Sequence, residues 1–456
     1  MVRLFGSSGI RGTANIDFTP ELALRTGVGV ASTLGGSGRI LLARDTRLTG
    51  PMFEKAFAAG VMSGGVSVCR AGVMPTPALA YLTRKKGFKA GVMVTASHNP
   101  PEYNGLKIFD ETGIALSEDE EARLEAKMFQ DNAVGVSWDK VGTSYDVNPL
   151  DEYIEMLSSL VELRRKWRVL VDPGNGATCA VTPQVLRNLG CETQTVNGQP
   201  DGRFPGRNSE PNEENLAETC KLVRAFEVEL GVAHDGDGDR IVMIDSDGNL
   251  VPPDKLMAGF AAEAVRQAGG GYVVVNADAS RAVDEKVKEA GGEVVRTRVG
   301  DVYIARELLR LKGVFGGEPS GAWIHPKYHL CTDGPLSAVL IIGLLDRLGL
   351  QLSELIKGVP DYPMRREKVK CPNVAKEEVM RKLSENLPDA LPQVTGTNTI
   401  DGIRVELTDG SWILARPSGT EPLIRITVEA RTSVESDDLL GKARRIVEEI
   451  VRTFGQ

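Results

Sequence analysis

The chain has 456 residues, about three typical domain lengths, so one hydrophobic core cannot organise it. Hydrophobic residues make up 41% and charged residues 25%, a balance that excludes long disordered stretches. With 54 Lys and Arg against 62 Asp and Glu the net charge is −8, so the chain as a whole does not attract nucleic acid, and any anionic ligand must be held by local cations. The N-terminal segment from Met1 to Gly12 is glycine-rich and lacks an apolar core with a cleavage site, so no signal peptide is expected and the location predicted is cytoplasmic. The longest apolar stretch, Leu336 to Leu345, is cut off by Asp346 and Arg347, well short of the ~20 residues of a membrane span. The six cysteines, at 69, 179, 191, 220, 331 and 371, form no C-x-x-C pair and read as reduced and mostly buried.

Short apolar runs alternate with helical patterns, which predicts an α/β chain built from βαβ units and parallel sheets. Thr19-Pro20 starts a helix, as an N-cap followed by proline at N1, and the helix ends near Gly35-Gly36. A buried strand is expected from Arg39, a helix over 52–63, and a strand over Gly91–Thr95. Three segments share one plan of apolar strand, acidic residue and helix: Arg39 to Asp45, Arg168 to Asp172, and Tyr272 to Asp278. This predicts three related α/β domains in series, although the plan is a common one. Polar or proline-rich interruptions at 147–149, 252–253 and 360–363 set the expected boundaries. They give α/β domains over 1–148, 149–252 and 253–362. A smaller α+β domain over 363–456 has a helix near 375–386, strands at 403–407, 411–415 and 423–429, and a helix at about 435–452.

The four histidines, at 98, 234, 325 and 329, lie in or near polar, turn-forming loops. Thr95-Ala-Ser-His-Asn-Pro100 follows a buried strand, at the sheet edge where α/β proteins place ligands. Ser97 there reads as a nucleophile or as part of a capped turn. No G-x-S-x-G elbow occurs anywhere in the chain. Asp235-Gly-Asp-Gly-Asp-Arg240 places three carboxylates where they can converge on one hard cation such as Mg²⁺. An EF-hand fails, because Arg240 stands where its sixth-position glycine is required and Ser246 where its terminal glutamate is required. Arg240 can point at an anion beside the metal. Arg416-Pro-Ser-Gly-Thr-Glu-Pro422 has the inventory of a phosphate cradle or of an ordinary hairpin loop. Gly316-Gly-Glu-Pro-Ser-Gly321 offers a carboxylate and a hydroxyl suited to sugar hydroxyls, and the glycine-rich Gly6 to Gly12 loop adds Arg11.

Taken in order, GSSGIRG, TASHNP, DGDGDR, GEPSG and RPSGTEP resemble the motif set of the α-D-phosphohexomutase superfamily, over almost the entire chain. The resemblance implies three similar α/β domains and a smaller phosphate-binding domain around a central cleft. It implies interconversion of a hexose 6-phosphate and a hexose 1-phosphate through a phosphoserine at Ser97 and a hexose 1,6-bisphosphate. One Mg²⁺ per chain would be held by Asp235, Asp237, Asp239 and the phosphoserine, which makes Ser97 a metal ligand as well. Lys107, Arg11 and Arg240 would flank the reacting phosphate, with Lys107 the first candidate for proton transfer and His98 the second. Glu318 and Ser320, with Gly300 and Asp301, would contact the sugar; Arg416, Ser418, Gly419 and Thr420 would hold the non-reacting phosphate. The expected partner is a small hexose phosphate, with no nucleic acid or membrane, and the chain a monomer or homodimer.

In several members the sugar loop ends in GExSGH, whereas here Ala322 follows Gly321, so a base from that loop is in doubt. The Val299-Gly-Asp301 segment and the Gly-Gly-Glu opening resemble the phosphoglucosamine branch more than the glucose and mannose branches, and His234 resembles archaeal members of that branch. A glucose or mannose phosphate is the alternative substrate. A metal-dependent phosphatase or kinase could use the same aspartates, but it would not need a separate phosphosugar cradle, and a kinase would need the Walker loop that is missing. A non-catalytic phosphosugar-binding protein would need neither Ser97 nor three metal carboxylates.

Overall fold

The structure is a computed structural model that describes residues 4–6, 9–129, 135–418 and 421–454. The chain forms two compact units, Met1–Pro253 with Ser320–Lys357, and Asp254–Pro319 with Gly358–Gln456.

In the first unit a seven-stranded sheet runs in the order Phe5–Gly6, Gly9–Thr13, Tyr103–Asp110, Ala90–Val94, Arg39–Arg44, Ser67–Val73, Ser144–Asp146. The middle of the sheet is parallel, as the apolar runs predict, because strands covered on both faces must be apolar throughout; Ala90–Val94 is buried at every position. The sheet departs from the all-parallel expectation at Tyr103–Asp110, which returns antiparallel along Ala90–Val94 and sets Lys107 opposite Met93. A chain that turns back after a short loop can pair only this way.

The helix Pro20–Thr33 begins as expected, with the Thr19 hydroxyl accepting from Leu22 N at 3.2 Å. It packs on Gly50–Ser63 with the two backbones nearly touching. A Cβ at Gly60 would lie 2.1 Å from the Leu24 carbonyl oxygen, and one at Gly27 would lie 2.3 Å from that of Phe57. Beneath them Phe18, Phe53, Phe57, Val92 and Leu106 belong to one buried cluster.

A second sheet of this unit runs Val242–Asp245, Leu230–Ala233, Arg168–Asp172, Glu192–Thr195. Its first pair is antiparallel and the rest parallel. Residues 234–241 are therefore the connection of a hairpin, at the carboxyl end of Leu230–Ala233.

The second unit holds the parallel strands Gly292–Thr297, Gly271–Asn276 and Phe315–Gly317. It also holds an antiparallel sheet in the order Met364–Lys370, Leu423–Glu429, Trp412–Pro417, Ile403–Leu407, Val394–Asn398. Alternation along these strands decides the packing. Ile413, Ala415, Ile424, Ile426 and Val428 join the cluster formed with the helices Lys376–Asp389 and Ser433–Arg452, while Trp412 and Leu414 turn the other way and meet Ala277. The two edge strands have no counterpart in the sequence reading. Met364–Lys370 carries five charged residues in seven and Val394–Asn398 is mostly polar, the disguise that edge strands adopt against unwanted pairing.

Because the obstacle at Gly60 is backbone and cannot swing aside, Gly60→Ala should overpack the helix pair and destabilise the fold by about 1–3 kcal/mol. A urea unfolding midpoint equal to that of the wild type would contradict this packing.

Candidate functional site

Ser97 follows the buried strand Ala90–Val94 and is itself 1% exposed. Its φ of +51° lies in the left-handed region, a conformation that costs about 1–3 kcal/mol for a residue with a side chain and persists only when its surroundings impose it. Its N–H donates to the Thr95 hydroxyl at 2.9 Å, and its Oγ donates to Asp235 Oδ2 at 2.8 Å. His98 Nδ1 is 3.4 Å from the same Oγ, and Arg11 Nη1 donates to Asn99 Oδ1 at 3.3 Å.

Asp235, Asp237 and Asp239 are buried, and one carboxylate oxygen from each lies within 4.8 Å of the others. The loop reaches this geometry because glycines separate the acids: a Cβ at Gly236 would stand 2.6 Å from the Ser97 carbonyl oxygen, and Gly238 has φ +77°. Asp235 Oδ1 accepts from the N–H groups of Gly238 (3.1 Å) and Arg240 (3.2 Å). Asp237 Oδ2 accepts from the Thr76 hydroxyl at 2.5 Å and from Lys107 Nζ at 2.8 Å, and Lys107 also donates to Asp239 Oδ2. The hairpin return noted above is what carries Lys107 back to this point, ten residues beyond Ser97 in the chain.

Burial, and then the charges of Asp239 and Asp237, push the Asp235 carboxyl well above the usual carboxylate range. Burial opposes ionisation of Asp237 too, but the Lys107 ammonium overcomes it and holds that carboxyl below the usual range. For Lys107 burial disfavours the charge, and Asp237 and Asp239 more than offset it. Lys107 therefore stays protonated and can donate a proton or hydrogen bond while both carboxylates face it. His98 is pushed down to about 2 by burial, then by Arg240, Arg11 and Lys107, so its ring is neutral.

Three buried acids share one lysine, and the second oxygens of Asp237 and Asp239 are buried with no hydrogen-bond partner among the described residues. Unpaired buried carboxylate oxygens are costly. A hard divalent cation bound by oxygens answers that deficit, so the residues fit a metal.

The remaining histidines are structural in their contacts. His234 is fully buried; its Nδ1–H donates to the Arg240 carbonyl and its Nε2 accepts from Thr182, both at 2.9 Å. It thereby ties down the end of the acidic loop. His329 Nε2 lies 2.8 Å from Asp333 Oδ2, whose carboxylate also takes the Tyr153 hydroxyl and caps the helix Gly334–Leu348. The Ser337 hydroxyl donates to the Asp333 carbonyl at 2.6 Å, so His325 Nε2–H donates to Ser337 Oγ at 2.9 Å.

The residues expected to contact sugar and phosphate lie mainly in the second unit. Gly300 N–H donates to Glu318 Oε1 at 2.8 Å, joining the two expected sugar segments. Asp301 opens the helix Asp301–Leu311. Arg416 Nη1 is 3.9 Å from Asp401 Oδ2, which accepts from Val299 N–H at 3.2 Å. Lys376 braces the segment after Arg416 by donating to the carbonyls of Ser418 and Glu421, each at 2.6 Å. Gly419 and Thr420 lie outside the described residues, and Ser320 belongs to the first unit. Thr76, Lys376 and Asp401 escaped the sequence reading. Only Thr76, at the first turn of a helix after Pro75, stands in a recognisable local pattern.

Two outcomes follow from these environments. Mg²⁺ should raise the melting temperature, with a stability gain that grows logarithmically with its concentration and reaches about 2.7 kcal/mol at a hundred times its Kd. The paired change Asp237→Asn with Asp239→Asn should abolish that shift; a shift that survives would place the metal elsewhere. His325, pushed by burial to about 3 from an ordinary value near 6.5, leaves stability intact above pH 6.5. As pH falls from 6.5 towards 3 the unfolded chain gains a proton that the folded chain does not, a loss of about 2 kcal/mol at pH 5. His325→Gln keeps a donor for Ser337 and cannot titrate, so its urea midpoint should fall less than that of the wild type between pH 7 and pH 5.

Family models described as phosphoglucomutase/phosphomannomutase match the chain in four consecutive parts. These are alpha/beta/alpha domain I over residues 2–134, domain II over 151–248, domain III over 252–362, and the C-terminal domain over 367–446. A "probable phosphoglucosamine mutase" of Methanopyrus kandleri is 45% identical over 99% of this chain and 100% of its own length. One from Methanobrevibacter smithii is 43% identical over 98% of this chain and 99% of its own. The crystal structure of a phosphoglucomutase/phosphomannomutase family protein from Burkholderia thailandensis superposes with a TM-score of 0.87 at 27% identity, covering 99% of this chain and 98% of that one. With its ordered motifs, its buried acidic triad, consecutive matches to all four domain models and relatives matched over nearly their full length, the chain belongs to the α-D-phosphohexomutase superfamily and is an isomerase of the phosphohexomutase kind.

Proposed function

We propose that the chain interconverts glucosamine 6-phosphate and glucosamine 1-phosphate, with Ser97 as the phosphoryl carrier and a hexose 1,6-bisphosphate as the intermediate. The contact of Ser97 Oγ with Asp235 at 2.8 Å, beside the acidic triad, carries this reading. In the forward half-reaction the bond from phosphorus to Ser97 Oγ breaks as a bond to the sugar hydroxyl oxygen forms; Lys107 gives a proton to the departing Oγ and takes back the one that the sugar hydroxyl gives up. In the return half-reaction the other phosphate of the bisphosphate moves to Ser97. Asp235, Asp237, Asp239 and a phosphoryl oxygen on Ser97 would hold Mg²⁺, which would supply neutralisation of phosphoryl charge, the main need of such transfers. Arg11 and Arg240 add positive charge near the phosphoryl group. Protonated Lys107 supplies a proton to a departing oxygen, and neutral His98 is an acceptor of low basicity.

In the same reading Glu318 and Ser320 contact ring hydroxyls, and Arg416, Ser418, Gly419 and Thr420 hold the phosphate that is not being transferred. Asp301, beside Gly300, faces the cationic amino group at C2. The preference for glucosamine is supported by the names of the archaeal relatives and by the Val-Gly-Asp segment. The proposed domains cover 1–148, 149–252, 253–362 and 363–456, and a cytoplasmic monomer or homodimer fits a small-molecule substrate. Among the described residues no helix is long and apolar enough to cross a membrane.

With a trace of bisphosphate present, kcat/KM should be higher for glucosamine phosphate than for glucose or mannose phosphate, and Asp301→Asn should lower it more for glucosamine than for glucose. Ser97→Ala should remove the phosphate seen by intact-mass analysis and reduce turnover by several orders of magnitude. Near-normal turnover in that variant would refute the carrier assignment, and a wild-type preference for glucose or mannose phosphate would refute the sugar assignment.

A further inference from the structure

Arg47 is fully buried, as is Asp45 beside it, and a buried ion pair is weak evidence of stability because desolvation can cancel the attraction. What singles this pair out is where the guanidinium spends its hydrogen bonds. All five N–H donors of an arginine are used. Nε donates to Asp45 Oδ2 at 3.0 Å. Nη1 donates to the carbonyls of Pro100 (2.5 Å) and Tyr103 (2.9 Å), and Nη2 to those of Ser97 (2.8 Å) and Asn99 (2.6 Å). Three of the five thus go to the loop that contains Ser97, and a fourth to Tyr103, the first residue of the strand that follows it.

Asp45 closes the circuit. Its Oδ1 accepts from Arg47 N at 2.9 Å and its Oδ2 from the Thr95 hydroxyl at 2.7 Å, while the Thr95 oxygen accepts from Ser97 N–H at 2.9 Å. The Ser97 backbone is therefore gripped at both its N–H and its carbonyl by one connected network. The Phe204 ring lies 5.2 Å from the guanidinium carbon, and the Ser209 hydroxyl is 2.9 Å from the His98 carbonyl and 2.8 Å from that of Asn99.

A serine at φ +51° does not hold that conformation unaided, and a shift of 1 Å at a reacting atom can cost about a hundredfold in rate. We infer that Arg47, with Asp45 and Thr95, is a positioning element for phosphoryl transfer: it locks the backbone of Ser97 so that Oγ is held at Asp235. This rests on the reading of Ser97 as the phosphoryl carrier. Phosphate placed on Ser97 then depends on a network that touches neither the metal carboxylates nor the sugar and phosphate loops.

The test uses Arg47→Lys and, as a second variant that preserves shape, Thr95→Val. A lysine keeps the charge but has three donors radiating from one point, which cannot span the carbonyls that the planar fork reaches. In Arg47→Lys, kcat should fall roughly 10- to 100-fold. The rate at which hexose 1,6-bisphosphate loads phosphate on Ser97, followed by intact mass, should fall with it. KM for the sugar phosphate and the Mg²⁺-induced melting shift should stay within about twofold of the wild type, a split that general unfolding would not produce. Thr95→Val, which loses both the acceptor for Ser97 N–H and the donor to Asp45, should show the same split with a kcat loss of about 2- to 10-fold; if Arg47→Lys does not fold, this variant decides alone. Loading and kcat within twofold of the wild type in the folded variants would overturn the inference. So would equal losses in kcat, KM and metal response. A wild-type enzyme that turns over with no phosphate ever on Ser97 would overturn the carrier reading itself and this inference with it.

Discussion

Three carboxylates cannot share a buried site without positive charge to join them, and the site of this protein is organised around that constraint. Asp235, Asp237 and Asp239 are forced together by a hairpin whose glycines let the backbone come within contact distance of the Ser97 loop. Burial, and then mutual repulsion, push the Asp235 carboxyl upward, and Lys107 pairs with Asp237 and Asp239. A hard divalent cation would answer the remaining deficit, and the Ser97 hydroxyl donates to Asp235 at the edge of the cluster.

The scaffold meets the constraint by setting two antiparallel return strands beside parallel ones. One return strand places Lys107 across from the end of the strand that leads to Ser97, and the other makes the acidic loop a hairpin turn. Both devices keep the charged groups on backbone that is anchored on either side. Rigid anchorage matters here, since carboxylates on a loose loop would relax apart instead of holding a shared cation. The residues proposed for the chemistry lie in one compact unit, and most of those proposed to recognise sugar and phosphate lie in the other.

Histidines illustrate how residue type misleads when read alone. All four were drawn to notice by their loops, yet three are absorbed in fixed hydrogen-bond networks, and the fourth is held neutral by burial and then by surrounding cations. Burial and nearby positive charge both disfavour imidazolium, so the rings of His98, His234 and His325 serve as oriented donors and acceptors.

The sequence by itself determined the fold class, because apolar runs of strand length and capped helical stripes report local periodicity directly, as at Pro20–Thr33 and Ala90–Val94. It also marked Ser97 and the Asp235 to Arg240 loop, since glycine-spaced acids and a short polar turn after a buried strand are local patterns. It could not reveal the charged edge strand Met364–Lys370, whose polarity hides its pairing, nor the antiparallel returns. Nor could it connect Arg47 with the carbonyl of Ser97, or Thr76 with Asp237, across separations of 50 and 161 residues. Those partnerships belong to the tertiary structure, because a buried donor is matched with whichever acceptor the packing brings beside it, and nothing in the local chain encodes which one that is.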